Sequence, residues 1–160
     1  MKNYRFSIFF PSLAILLGLT LQLFFTSYNN YLFFSLNYTL IYFLIFMYPK
    51  TTPLPLIFLN GVVTDAINDI TLGVSPLIFM LAAIFISLQI KYVKNKDFFS
   101  CYKFFLINTI ILGLIIVFLD LFYDMSFNGI WQFILFSMVF LPLIFYLVKI
   151  TFSYTKNQHE

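Results

Sequence analysis

Asp65 and Asp69 are the side chains whose type and spacing could do chemistry in this chain. They stand at i and i+4, so a helix through both carries them on one face. Two carboxylates held close could share a proton, because like charges push one pKa upward. They could also hold a cation or bind a basic group of a partner. The stretch around them, Asn60 to Pro76, reads NGVVTDAINDITLGVSP and contains the turn-like Thr71-Leu72-Gly73. Almost everything on either side is hydrocarbon. An acid at the centre of a membrane-buried helix costs roughly 2.5–3.5 kcal/mol on insertion scales. Residues that costly face a protein interior or a water-filled cavity and have a partner.

The two acids read differently. Asp69 lies next to the turn, where water is near, and a place in the outer interface suits it. Asp65 lies one helical turn deeper. A specific function, a helix–helix hydrogen bond and a bracing role for the turn all stay open for it. Asn60 and Thr64 add an amide and a hydroxyl on nearby faces, and Gly61 sets a small residue below Asp65. Gly73 suits a positive φ or a close helix approach. Asp120 and Asp124 could face Asp65 across a polar outer cavity, although solvated interfacial positions are the commoner fate of such residues.

No spacing here is a catalytic signature. The chain has no HExxH, no GxSxG and no P-loop. Its one histidine is His159, and its one cysteine is Cys101, read as an incidental loop thiol. A single cysteine excludes an intramolecular disulfide and a CxxC metal site. No enzyme activity, cofactor or metal is expected. An intramembrane enzyme would need Asp65 and Asp120 to approach within hydrogen-bonding range.

Composition says what must position these residues. The chain is 62% hydrophobic and 9% charged, with a mean hydropathy of +0.96. Soluble domains are about 45–50% apolar and about 25% charged. The runs are apolar on every face, which excludes the alternation of a membrane β-barrel. At about 20 residues per span, the length allows a single transmembrane domain, 1–160, built as an all-α bundle of six helices. The spans are expected at about 7–25, 31–48, 54–70, 74–90, 104–123 and 130–150. The first run is longer than a signal-peptide core and lacks a small-residue cleavage site after it, so it is read as an uncleaved span. Ala14 and Gly18 give it a small-residue face. Asn37 falls in the second span, Pro49 to Pro53 breaks the chain, and Pro142 is expected to kink the sixth span.

The net charge of +3 does not point to nucleic acid, because the basic residues are scattered through the connections. Lys2, Arg5, Lys50, Lys91, Lys94, Lys96, Lys103, Lys149 and Lys156 are all nine of the Lys and Arg. With six spans, every one falls on the side of the N-terminus. Positive charge stays cytoplasmic, so both termini are expected inside and the 70–73 turn outside. The loop from Lys91 to Lys103 is expected to attract anionic lipid.

Gly61-Val62-Val63-Thr64-Asp65, followed by Thr71-Leu72-Gly73-Val74, resembles the signature hairpin of the MreD family of rod shape-determining membrane proteins. That family reads G-x-x-x-D, then a short polar turn and a Leu-Gly-type opening of the next helix. The layout agrees over most of the chain. It includes a basic N-terminus, Asn37-Tyr38 opening an apolar run that ends at Pro49, and a basic loop after the fourth span. Residues that match a motif are confined to Asn37 to Ile90. Asp69 stands where the family usually has Gly, and Leu36 where it commonly has Pro.

The resemblance implies a non-enzymatic subunit of the bacterial elongation, or rod, complex in the cell inner membrane. It would bind MreC, a bitopic periplasmic scaffold, and act indirectly with MreB, RodA and a class B penicillin-binding protein in lateral peptidoglycan synthesis. It also implies an architecture like that of the S-components, the substrate-binding subunits of energy-coupling-factor transporters. Asn37, Asn60, Gly61, Asp65, Thr71, Leu72 and Gly73 then form a structural or partner-binding motif. The competing reading is a vitamin-binding subunit of such a transporter. Its site would need convergent polar groups and an aromatic or charged anchor, whereas the only Trp, Trp131, starts the sixth span.

Overall fold

The computed structural model describes the backbone of residues 2–25, 30–68, 71–93, 98–123 and 130–157, and side chains over a smaller set within them. Among the described residues six α-helices follow in chain order: α1 (Lys2–Phe25), α2 (Asn30–Met47), α3 (Leu54–Ile67), α4 (Val74–Ile90), α5 (Phe98–Tyr123) and α6 (Ile130–Asn157). There is no strand among the described residues. Phe98–Phe118 within α5, with a mean hydropathy of 2.2, is long and apolar enough to cross a membrane. Phe10–Gln22, Phe34–Met47, Leu54–Ile67, Val74–Ile90 and Ile130–Tyr146 are shorter apolar stretches.

Local chemistry explains the breaks. At the end of α2 the Tyr48 N–H donates to the Leu44 carbonyl at 2.7 Å. The Thr52 hydroxyl then reaches the Tyr48 carbonyl at 2.8 Å and the Leu44 carbonyl at 3.1 Å. These contacts occupy carbonyls that have no acceptor role left inside the helix. Pro53, in extended conformation, is the N-cap of α3, and a proline in the first turn supplies helical φ without losing a ladder bond.

The helices pack around α2. It touches α1, α4 and α6, while α3 lies against α1 and α4, and α5 against α4 and α6. Six successive α2 residues, Ile41 through Phe46, are buried, as befits a helix that is apolar all round. Its aromatic rings tie it to the surrounding helices. Phe34 stacks on Phe79 of α4 at 5.2 Å and meets Phe133 of α6 edge-on at 5.4 Å. Tyr38 and Tyr42 both reach Phe105 of α5, at 5.6 and 4.9 Å. Aromatic pairs of this kind add about 0.5–1.5 kcal/mol each beyond their burial.

Four boundaries differ from the sequence reading. α1 starts at Lys2 instead of near residue 7. α3 ends at Ile67, where the Asn68 N–H closes on the Thr64 carbonyl at 3.1 Å. α5 starts at Phe98 instead of near 104, because Phe98 stacks on Tyr102 one turn later and packs edge-on against Phe145 of α6. Cys101 is therefore a buried helix residue and not a loop thiol. α6 continues through Pro142 and on to Asn157, seven residues beyond the expected end of the sixth span near 150.

Candidate functional site

The hairpin formed by α3 and α4 brings Asp65 to the start of α4. Its Oδ2 accepts the Gly73 N–H at 2.7 Å, and its Oδ1 accepts the Ser75 N–H at 2.9 Å. Both donors belong to the first turn of α4, whose N–H groups have no partner within the helix. A carboxylate there also meets the positive end of the helix dipole. The buried acid is thus paired with backbone, and its two oxygens each have a defined task. Gly73 is the N-cap residue and carries no side chain to do the capping itself; its φ of 105° is a conformation that L side chains rarely adopt.

Gly61 explains the closeness of the two helices. A Cβ at this position would collide with the backbone N and Cα of Pro76 and lie 2.9 Å from its Cδ. Pro76 sits in the first turn of α4, where a missing N–H costs no ladder bond. Thr71 and Leu72 form the exposed tip, and the Thr71 carbonyl accepts the Val74 N–H at 3.3 Å.

A second polar group lies behind the hairpin. The Thr64 hydroxyl stands 2.8 Å from the Asn60 carbonyl and 3.1 Å from Gln22 Oε1 of α1. Asn37 Nδ2 of α2 donates to the same Gln22 oxygen. Gln22, Asn37, Asn60 and Thr64 are all buried, so three helices meet through amides and a hydroxyl. Gly18 makes room for this junction, since a Cβ there would lie 2.7 Å from Asn37 Oδ1.

Another polar seam, buried at α2 and α5 and half-buried at Gln89, joins α2, α4 and α5. Asn108 Nδ2 donates to Gln89 Oε1 at 2.6 Å, and the Tyr42 hydroxyl donates to the Cys101 carbonyl at 3.1 Å. Tyr38 and Thr109 hydroxyls are 3.4 Å apart.

Of the residues singled out from sequence, Asn60, Gly61, Asp65, Thr71, Leu72 and Gly73 therefore share one hairpin, with Asn37 joined to it through Gln22. Asp69, Asp124 and the side chain of Asp120 lie outside the described residues, so no acidic pair with Asp65 is described. Lys91, Lys103 and Trp131 are exposed, and Lys94 to Asp97 lie outside the described residues. Among the described residues, no group of three His, Cys, Asp or Glu side chains could hold a metal ion. Sequence reasoning missed Gln22, Ser75, Pro76, Gln89 and Asn108. Gln22 and Asn108 carried a usable signal, a lone amide within an apolar run, the same one that marked Asn37.

Among its described side chains the hairpin holds one carboxyl group, that of Asp65, and both of its oxygens are engaged by backbone N–H groups. Asp65 ties α3 to α4, and the Thr64–Gln22–Asn37 contacts tie α3 to α1 and α2. Comparison with protein-family models, with curated proteins and with solved structures finds no match to this chain.

Proposed function

We propose that this chain is a multi-pass protein of the bacterial cell inner membrane, with six spanning helices and both termini cytoplasmic. Its architecture would be like that of the S-components of energy-coupling-factor transporters. Support comes from an inverted distribution of side chains. Leu13, Phe58, Ile84, Leu114, Leu135 and Val139, from five of the helices, are exposed, whereas Gln22, Asn37, Asn60, Asp65 and Asn108 are buried. In water, apolar surface on this scale marks an interaction site or an aggregation hazard. In lipid it is the ordinary exterior. α3, with 14 residues, spans about 21 Å at 1.5 Å per residue, so its hairpin would be shielded by neighbours or lie where the bilayer thins.

The role we assign is a non-enzymatic subunit of the rod complex that binds MreC and helps organise lateral peptidoglycan synthesis, with MreB, RodA and a class B penicillin-binding protein as indirect partners. The observation that carries this reading is the use the hairpin makes of its motif. Gly61 permits the close approach, Asp65 caps α4, and Gly73 takes the positive φ. These are the residues of the MreD resemblance, and each has a backbone task. A motif built that way specifies a shape, which is what a docking subunit needs. Exposed Lys91 and Lys103 suit contact with anionic lipid headgroups, worth about 1 kcal/mol per basic residue near the surface.

Depletion in the host bacterium tests the role. Rods should widen and round, a plasmid copy with Asp65→Asn should restore them, and Gly61→Leu should not. Unchanged shape together with loss of vitamin uptake would contradict this reading and favour the transporter subunit.

A further inference from the structure

The junction of α1, α2 and α3 leaves three side-chain atoms of one cluster without a hydrogen-bond partner: Gln22 Nε2, Asn60 Nδ2 and Asn37 Oδ1. Their residues are fully enclosed, Gln22 at 1% exposure and Asn37 and Asn60 at 0%. They belong to a single unit. Asn37 Nδ2 and Thr64 Oγ1 both reach Gln22 Oε1, and Thr64 Oγ1 lies 3.4 Å from Asn60 Oδ1. Buried amides left unpaired in this way are rare, and ordered water is what usually satisfies them.

The kinds of atom left over discriminate between ligands. Two are N–H donors and one is a carbonyl acceptor. A cation at this place would face two N–H groups. An anion would face the Asn37 carbonyl oxygen, and no Lys, Arg or His belongs to the cluster to offset it. Water both accepts and donates, and a buried water typically makes about three hydrogen bonds. We propose that Gln22, Asn37 and Asn60 form an internal water-binding site. The bound water accepts from Gln22 Nε2 and Asn60 Nδ2 and donates to Asn37 Oδ1.

Such a water completes the junction that holds the α3–α4 hairpin to α1 and α2. It lies beside Thr64, the neighbour in sequence of the capping Asp65. The site goes beyond the rod-complex reading and does not depend on it, since its argument uses no partner.

The test is an NMR measurement on the full-length wild-type chain in nanodiscs of phosphatidylethanolamine and phosphatidylglycerol. The side-chain amides of Asn and Gln are labelled with nitrogen-15, and magnetisation transfer from water is read at each one. Signals of Gln22 and Asn60 are assigned by their disappearance in Gln22→Met and Asn60→Leu, or by through-bond correlation in the wild type where a variant does not fold. The expected result is a direct water cross-peak at both carboxamides. A well-dispersed spectrum with no water cross-peak at one or both overturns the proposal. A saturable shift of the same signals on adding sodium or potassium chloride also overturns it, in favour of an ion.

Discussion

Asp65 can be altered in two ways that separate shape from hydrogen bonding. Asn at this position keeps an acceptor for one of the two N–H donors of α4 and turns a donor toward the other. Leu removes both acceptors and leaves the Gly73 and Ser75 N–H groups unpaired. Left unpaired, a buried N–H such as that of Ser75 costs about 1–3 kcal/mol. Thermal unfolding in detergent should therefore show a modest fall in Tm for Asp65→Asn and a much larger one for Asp65→Leu. Equal effects would mean that the carboxylate is not acting as a cap. Gly73→Ala isolates a different cost. No atom lies within 4 Å of the added Cβ, so nothing clashes, and the penalty comes from φ of 105° alone, on the order of 1–3 kcal/mol for a residue held in such a region.

Among the elements, α3 and α4 approach closely at Gly61. Gly61→Ala forces the Cβ onto the backbone of Pro76, which cannot give way as a side chain can. Gly113→Ala in α5 meets only the Ile134 side chain, Cδ1 at 3.4 Å and Cγ1 at 3.8 Å, where a rotamer can adjust. The unfolding temperature should drop sharply for the first and little for the second. Sequence made the number and order of helices legible, because long hydrocarbon runs are separated by Pro49 to Pro53, by the lysines after Ile90, and by polar turns. It also marked Gly61, Asp65 and Gly73 as one frame. What it left open was the task of Asp65, whose partners lie eight and ten residues on and depend on how the turn closes. It could not show that α2 is central, since all the runs are apolar and their patterns do not rank them by burial. The start of α5 was hidden because Cys101 and Lys103 sit in a stretch with the composition of a loop, while the packing of Phe98 on Tyr102 and Phe145 makes it helix.

At the scale of the whole molecule, the arrangement of charge sets a direction that labelling can read. Single-cysteine variants on a Cys101→Ser background, at exposed Leu72 and exposed Lys91, should react with a membrane-impermeant maleimide from opposite sides. Leu72→Cys should label on intact spheroplasts, and Lys91→Cys only after permeabilisation. The central claim is that the hairpin frame shapes a surface on which MreC docks. Its most direct test is co-isolation of MreC with the tagged chain after solubilisation in mild detergent, comparing wild type, Asp65→Asn and Gly61→Leu at matched expression. The account predicts that MreC is retained by the wild type and by Asp65→Asn and is lost with Gly61→Leu. Absence of MreC from the wild-type preparation, or its full retention by Gly61→Leu, would contradict it.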